Sequence, residues 1–122
     1  MKFEETTETL PIFPLPLVLL PGEALPLHIF EDRYREMLSY VQATTKRFGI
    51  NFVDERSDDR PPSGAVGCVA ELRDVQTLPD GRSNILTVGR ERYRIDEYID
   101  GGDSFLTARV NLFSDEESDV AA

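Results

Sequence analysis

Apolar residues crowd the chain from Leu10 to Phe30, and Pro11, Pro14, Pro16, Pro21 and Pro26 interrupt them. Proline lacks a backbone N–H and fixes φ, so this run cannot form one continuous helix. It predicts short extended pieces joined by turns. The first strand is expected over residues 12–15, since proline is tolerated at an edge or a strand start. Pro21-Gly22 reads as a turn, and residues 25–30 continue extended. The period then changes: Tyr34, Met37, Leu38 and Val41 fall at i, i+3, i+4 and i+7, one apolar face of a helix. Glu31 and Asp32 stand at its start, where negative charge suits the helix dipole.

Past the helix the pattern belongs to strands. Residues 48–53 are rich in β formers, and 54–64 form a charged loop containing Pro61-Pro62. Residues 65–75 read as a long strand. Pro79-Asp80-Gly81 is a hairpin turn, with glycine supplying a positive φ. Further strands are expected over 85–88, 93–99 and 105–112, with Gly101-Gly102-Asp103 turning the chain into the last. One helix and about six strands joined by short turns predict a mostly β protein with one principal helix (α+β), a small and mainly antiparallel barrel or sheet with the helix packed on it.

Composition narrows the function. A chain of 122 residues with 40% hydrophobic content fits one domain and can bury a core without disulfides or metals. A net charge of −10 argues against non-specific nucleic-acid binding and against anionic membrane surfaces. Cys68 is the only cysteine, which excludes an internal disulfide and suits a reducing, cytoplasmic setting. It lies in an apolar strand pattern and is expected to be a buried, inert thiol. The apolar run near the N terminus follows Glu4, Glu5 and Glu8, whereas a signal peptide needs a basic flank. It is also too short, and too rich in proline, to span a bilayer.

The order of these residues resembles the N-terminal domain of Lon proteases, the LON substrate-binding domain family. Residues 10–15 read L-P-I-F-P-L, Pro21-Gly22 follows, residues 25–31 read L-P-L-H-I-F-E, and Arg33-Tyr34-Arg35 match the family's R-Y-R. Asp32 replaces the proline usual in the family; both are good helix starters. Further marks follow in order: Gly67, Ala70 and Glu71; Leu78-Pro79-Asp80-Gly81; Gly89; Arg92-Tyr93-Arg94-Ile95; and Leu106, Ala108 and Val110. The resemblance implies a PUA-like pseudobarrel of about six strands. It also implies a domain that recruits proteins and carries no chemistry of its own. It covers the family's first lobe; the usual second, helical lobe has no counterpart here. The organisation expected is a flexible tail over 1–9, the barrel domain over 10–113, and an acidic disordered tail over 114–122. The only lysines are Lys2 and Lys46, and no Gly-Lys pair exists, so neither a phosphate-binding P-loop nor a Ser–Lys dyad is expected.

Candidate chemistry is sparse. His28, the sole histidine, is expected to be structural, hydrogen-bonding a neighbouring loop or Glu31. One His and one Cys cannot make a four-ligand zinc site, and no metal or cofactor is expected. Gly102-Asp103-Ser104 resembles the G-D-S start of one hydrolase family, but the histidine lies upstream of it and a tight turn explains the glycines. Asp54, Glu55, Asp58 and Asp59 lack the ligand order of a calcium loop. Arg90, Arg92 and Arg94 alternate and so share one strand face. A basic stripe on a PUA-like barrel gives the alternative reading, an RNA-binding module, but a solvated face paired with carboxylates suits the overall charge better. The candidate protein-interaction surface is the apolar loop before the helix together with the charged helix start: Leu27, His28, Phe30, Glu31, Arg33, Arg35 and Glu36. The partners expected are unfolded or degron-bearing proteins and a protease or unfoldase, with weak self-association; nucleic acid and membrane are not expected.

Overall fold

Strand β1 spans Thr6–Leu15, which is longer at its N-terminal end than the sequence pattern suggests. Thr6 to Thr9 are polar, yet each is held by pairing with the last strand. Part of the expected N-terminal tail is therefore strand. The computed structural model describes residues 6–54 and 60–113. The expected C-terminal tail and residues 55–59 of the charged loop, Glu55, Asp58 and Asp59 included, lie outside the described residues.

The remaining elements are β2 (Ala24–Ile29), α1 (Asp32–Ala43), β3 (Arg47–Phe52), β4 (Val66–Thr77), β5 (Ser83–Tyr98) and β6 (Leu106–Phe113). Two strands expected separately, over 85–88 and 93–99, are one strand of 16 residues. Gly89-Arg90-Glu91 interrupts the β-forming pattern but not the strand. Its register with β4 shifts here, between Cys68 and Ala70, and again between Leu72 and Asp74; its register with β6 shifts between Ile95 and Glu97 of β5 itself. Such bulges bend and twist a strand. Gly89 is required by packing, because a Cβ there would lie 2.9 Å from the carbonyl carbon of Leu20.

The six strands run in the order β2-β5-β4-β3-β1-β6, and β6 also pairs with β5. Strands β1, β3, β4, β5 and β6 thus close a ring, while β2 stands outside it, paired only with β5. The β1–β3 pair is parallel and the others are antiparallel. The result is the pseudobarrel expected, rather than a regular barrel.

Two cores result. The ring interior holds Leu10, Ile12, Val69, Tyr93, Ile95, Ala108, Val110 and Leu112. Tyr93 fills it, passing over Gly49 and Gly67, where a Cβ would meet the tyrosine ring. The Tyr93 hydroxyl donates to Asn51 Oδ1, and Asn51 Nδ2 donates to the Val66 carbonyl at 3.2 Å, so the buried polar groups are satisfied. The second core lies between the sheet and α1, whose Tyr34, Met37, Leu38 and Val41 are buried as the spacing predicts. Glu31 at the N-cap makes no side-chain cap bond. Burial of those four side chains, each worth about 1.5–3 kcal/mol, therefore holds the helix. Cys68 is a buried thiol in this core.

Candidate functional site

Strand β6 reaches β1 only as far as the Ile12–Leu106 pair. Phe13, Pro14 and Leu15 therefore have β3 on one side and, among the described residues, no strand on the other. β2 likewise has β5 on one side and, among the described residues, no strand on its outer edge. Residues from these two open edges line a groove of about 510 Å³. Phe13 and Tyr34 are buried beneath it and stack with centroids 4.1 Å apart. Leu15 and Leu27 are half-buried, and Pro14, Pro16, Phe30, Val53 and Leu106 complete the apolar lining. Phe30 is 59% exposed and adds a large apolar surface to this lining.

The polar lining consists of His28, Glu31, Arg33 and Arg60. His28 Nδ1 lies 2.8 Å from Asn84 Oδ1, its cross-strand neighbour on β5, so the structural partner is Asn84 rather than a loop or Glu31. The imidazole also stacks on Phe30 at 5.8 Å. The Arg33 guanidinium sits 5.0 Å over the Tyr34 ring, and that of Arg60 sits 4.0 Å over Tyr98. Burial raises the Tyr34 hydroxyl above its usual pKa, with Arg33 pulling the other way. Tyr98 is likewise raised by burial and opposed by Arg60. Both tyrosines stay neutral near pH 7. Tyr98 donates to the Pro61 carbonyl at 2.6 Å, which helps fix the segment bearing Arg60.

Five of the expected surface residues, Leu27, His28, Phe30, Glu31 and Arg33, line this groove; Arg35 and Glu36 do not. At 3.6 residues per turn Arg35 lies roughly 160° round the helix from Arg33. Its guanidinium packs against the Gly81 turn and meets Asp32 at 3.4 Å. Glu36 accepts a 2.6 Å hydrogen bond from the Ser104 hydroxyl, which gives the Gly-Asp-Ser turn a structural role. Both face a separate, polar depression that Thr77 and Ser83 help line. Sequence reasoning missed Pro14, Leu15, Pro16, Val53, Arg60 and Leu106. The prolines were the available signal for the first three; nothing in the pattern set Arg60 apart from the charged loop around it.

Arg90, Arg92 and Arg94 share the outward side of β5, and none lines the groove. Arg92 and Arg94 lie 5.5 Å and 5.6 Å from the Phe113 ring centroid, and Arg94 also donates to the Gly64 carbonyl at 3.4 Å. Among the described residues no group of three or more His, Cys, Asp or Glu side chains could hold a metal ion. No helix among them is long and apolar enough to cross a membrane.

Residues 9–122 match the family model of the ATP-dependent protease La (LON) substrate-binding domain. The chain belongs to this family. The LON domain described here is 30% identical over 119 residues to a Lon protease of Porphyromonas gingivalis, a match covering 94% of this chain and 14% of that protein. It is 29% identical over 123 residues to a Lon protease of Flavobacterium johnsoniae, covering 98% of this chain and 15% of the relative. Among solved structures, a Lon N-terminal domain protein from Xanthomonas campestris superposes with a TM-score of 0.70 at 26% identity, over 86% of this chain and 59% of that one. The N-terminal domain of a Mycobacterium avium complex Lon protease shares the fold, with a TM-score of 0.67 at 23% identity over 87% and 55% of the two chains. The LON domain thus spans a small fraction of the length of its curated relatives. The family is named for binding a protein substrate, and the comparisons give no support to the RNA alternative.

Proposed function

We propose that this LON domain binds extended apolar segments of unfolded or degron-bearing proteins in the groove between β1, β2 and the start of α1, and hands them to a partner protease or unfoldase without chemistry of its own. The observation that carries the reading is the groove itself. Its apolar lining comes from two strand ends that the sheet leaves open, and Phe30 stands exposed beside a core. A client segment gains about 1.5–3 kcal/mol for each large apolar side chain it buries there. The open edge of β2 offers backbone groups to an extended chain as well. Association also costs translational and side-chain freedom, so a single segment binds weakly. Several copies, brought together by an oligomeric partner or by weak self-association, supply avidity. A lone buried cysteine suits work in the cytoplasm.

Fluorescence anisotropy tests the reading with a labelled, permanently unfolded protein and the same protein folded. The unfolded form is expected to bind and the folded form not to. Phe30→Ser is expected to weaken binding about tenfold, the worth of one lost apolar contact. Equal binding of the two forms, or indifference to Phe30→Ser, contradicts it.

A further inference from the structure

We propose that the groove prefers apolar segments bearing an Asp or Glu side chain beside the apolar residue, with Arg33 and Arg60 receiving the carboxylate. The inference rests on the groove reading above and specifies its substrate class.

The argument starts from how this chain treats its arginines. Arg35, Arg47, Arg73, Arg82 and Arg109 each meet a carboxylate within 3.4 Å. Such pairing is easily met in a chain with 23 Asp and Glu against 13 Lys and Arg. Arg33 and Arg60, like Arg90 and Arg94 away from the groove, are in no ion pair among the described residues; Arg33 and Arg60 each lie against a tyrosine ring instead. Both line the apolar groove, where Glu31 is the only carboxylate among the described residues. A guanidinium held over an aromatic face keeps its N–H donors in the plane of the fork, free to meet a planar carboxylate. The ring also limits the conformational freedom lost when that bond forms. The described lining residues thus carry an excess of positive charge on a protein of net charge −10. An acidic segment is repelled by most of the molecule and attracted here.

The carboxylate is a side chain rather than a chain terminus, because the groove does not end at Arg60. Arg60 and Leu106 also line the adjoining depression, which continues past Ile99 to the Gly101-Gly102 turn. An extended chain can run through. Asp100 and Asp103 line that continuation, so the acidic position of a bound segment falls at the groove and not beyond it.

The test uses fluorescein-labelled peptides, amidated at the C terminus, with one central Leu-Phe pair flanked by Asp, by Asn or by Lys. The Asp-flanked peptide is expected to bind about fivefold more tightly than the Asn-flanked one, the scale of one or two solvent-exposed ion pairs. The Lys-flanked peptide binds most weakly, and raising salt erases the order. In the Arg33→Gln, Arg60→Gln double variant, whose substitutions are both at the surface, the ratio of Asp-flanked to Asn-flanked affinity is expected to fall to about one, whatever the change in overall affinity. Equal binding of the Asp- and Asn-flanked peptides overturns this inference and leaves the groove reading standing. A preference that survives in the double variant also overturns it, by moving the selection elsewhere. Failure of all three peptides to bind overturns the groove reading and this inference with it.

Discussion

The ring interior and the groove are built from the same kinds of residue, partly on the same strand. On β1, Leu10 and Ile12 point into the ring, whereas Phe13 and Leu15 belong to the helix side. Each strand of the ring has a partner on both sides over the residues that line its interior, and the buried polar groups of Tyr93 and Asn51 satisfy each other. At the groove the edges of β1 and β2 are left open, and Leu15, Leu27 and Phe30 keep part of their surface in solvent. What separates core from site is the closure of the strands, not hydrophobicity. A closed apolar surface yields stability; an open one leaves apolar area for a partner to cover.

Substitutions can break that contrast from either side. The largest effect is expected at Tyr93. Tyr93→Ala empties the ring and should cost about 3–5 kcal/mol in chemical denaturation, by analogy with other large aromatic truncations. Tyr93→Phe keeps the ring filled but leaves buried Asn51 without its donor, at a cost of about 1–3 kcal/mol. Burial also raises the Tyr93 hydroxyl well above its usual pKa, so the fold favours the neutral phenol. Its contribution to stability is complete below the unfolded value of about 10 and is lost as pH rises beyond it. Tyrosinate absorbance should therefore show Tyr93 ionising only as the protein unfolds in alkali, and Tyr93→Phe should remove that part of the alkaline sensitivity.

The groove predicts the opposite pattern. Phe30→Ser should change stability by less than about 0.5 kcal/mol, since the side chain is mostly exposed, and yet weaken client binding. The smallest and sharpest effect comes from the helix start. Arg33→Glu should weaken binding of an unfolded protein about fivefold, and Arg35→Glu, on the other side of α1, should leave it unchanged. Equal effects of the two substitutions would mean that the whole helix start, rather than the groove, carries the charge.

Much of the fold is legible in the sequence because its signals are local. The Tyr34–Val41 spacing gives the helix, and Pro79-Asp80-Gly81 gives the hairpin. The continuity of β5 is not local: Gly89 breaks the β pattern, and only its approach to Leu20 explains both the glycine and the unbroken strand. The polar start of β1 is strand because β6 pairs with it. The groove is half legible. Leu27 to Arg33 are contiguous and mix apolar with charged residues, a visible signal. Val53, Arg60 and Leu106 join them only through tertiary folding. Arg35 and Glu36 look equivalent to Arg33 in one dimension, but the helix and the Ser104 bond turn them to another surface.

Amide chemical shifts of the labelled LON domain, recorded while an unfolded polypeptide is added and again with its folded form, test the central claim most directly. Shifts should move for the unfolded form alone, in one contiguous patch comprising Phe13, Leu15, Leu27 to Tyr34, and Val53. Changes centred on Arg90, Arg92 and Arg94, or on the Arg35–Gly81 depression, or no change at millimolar ligand, would contradict the assignment of client binding to the groove.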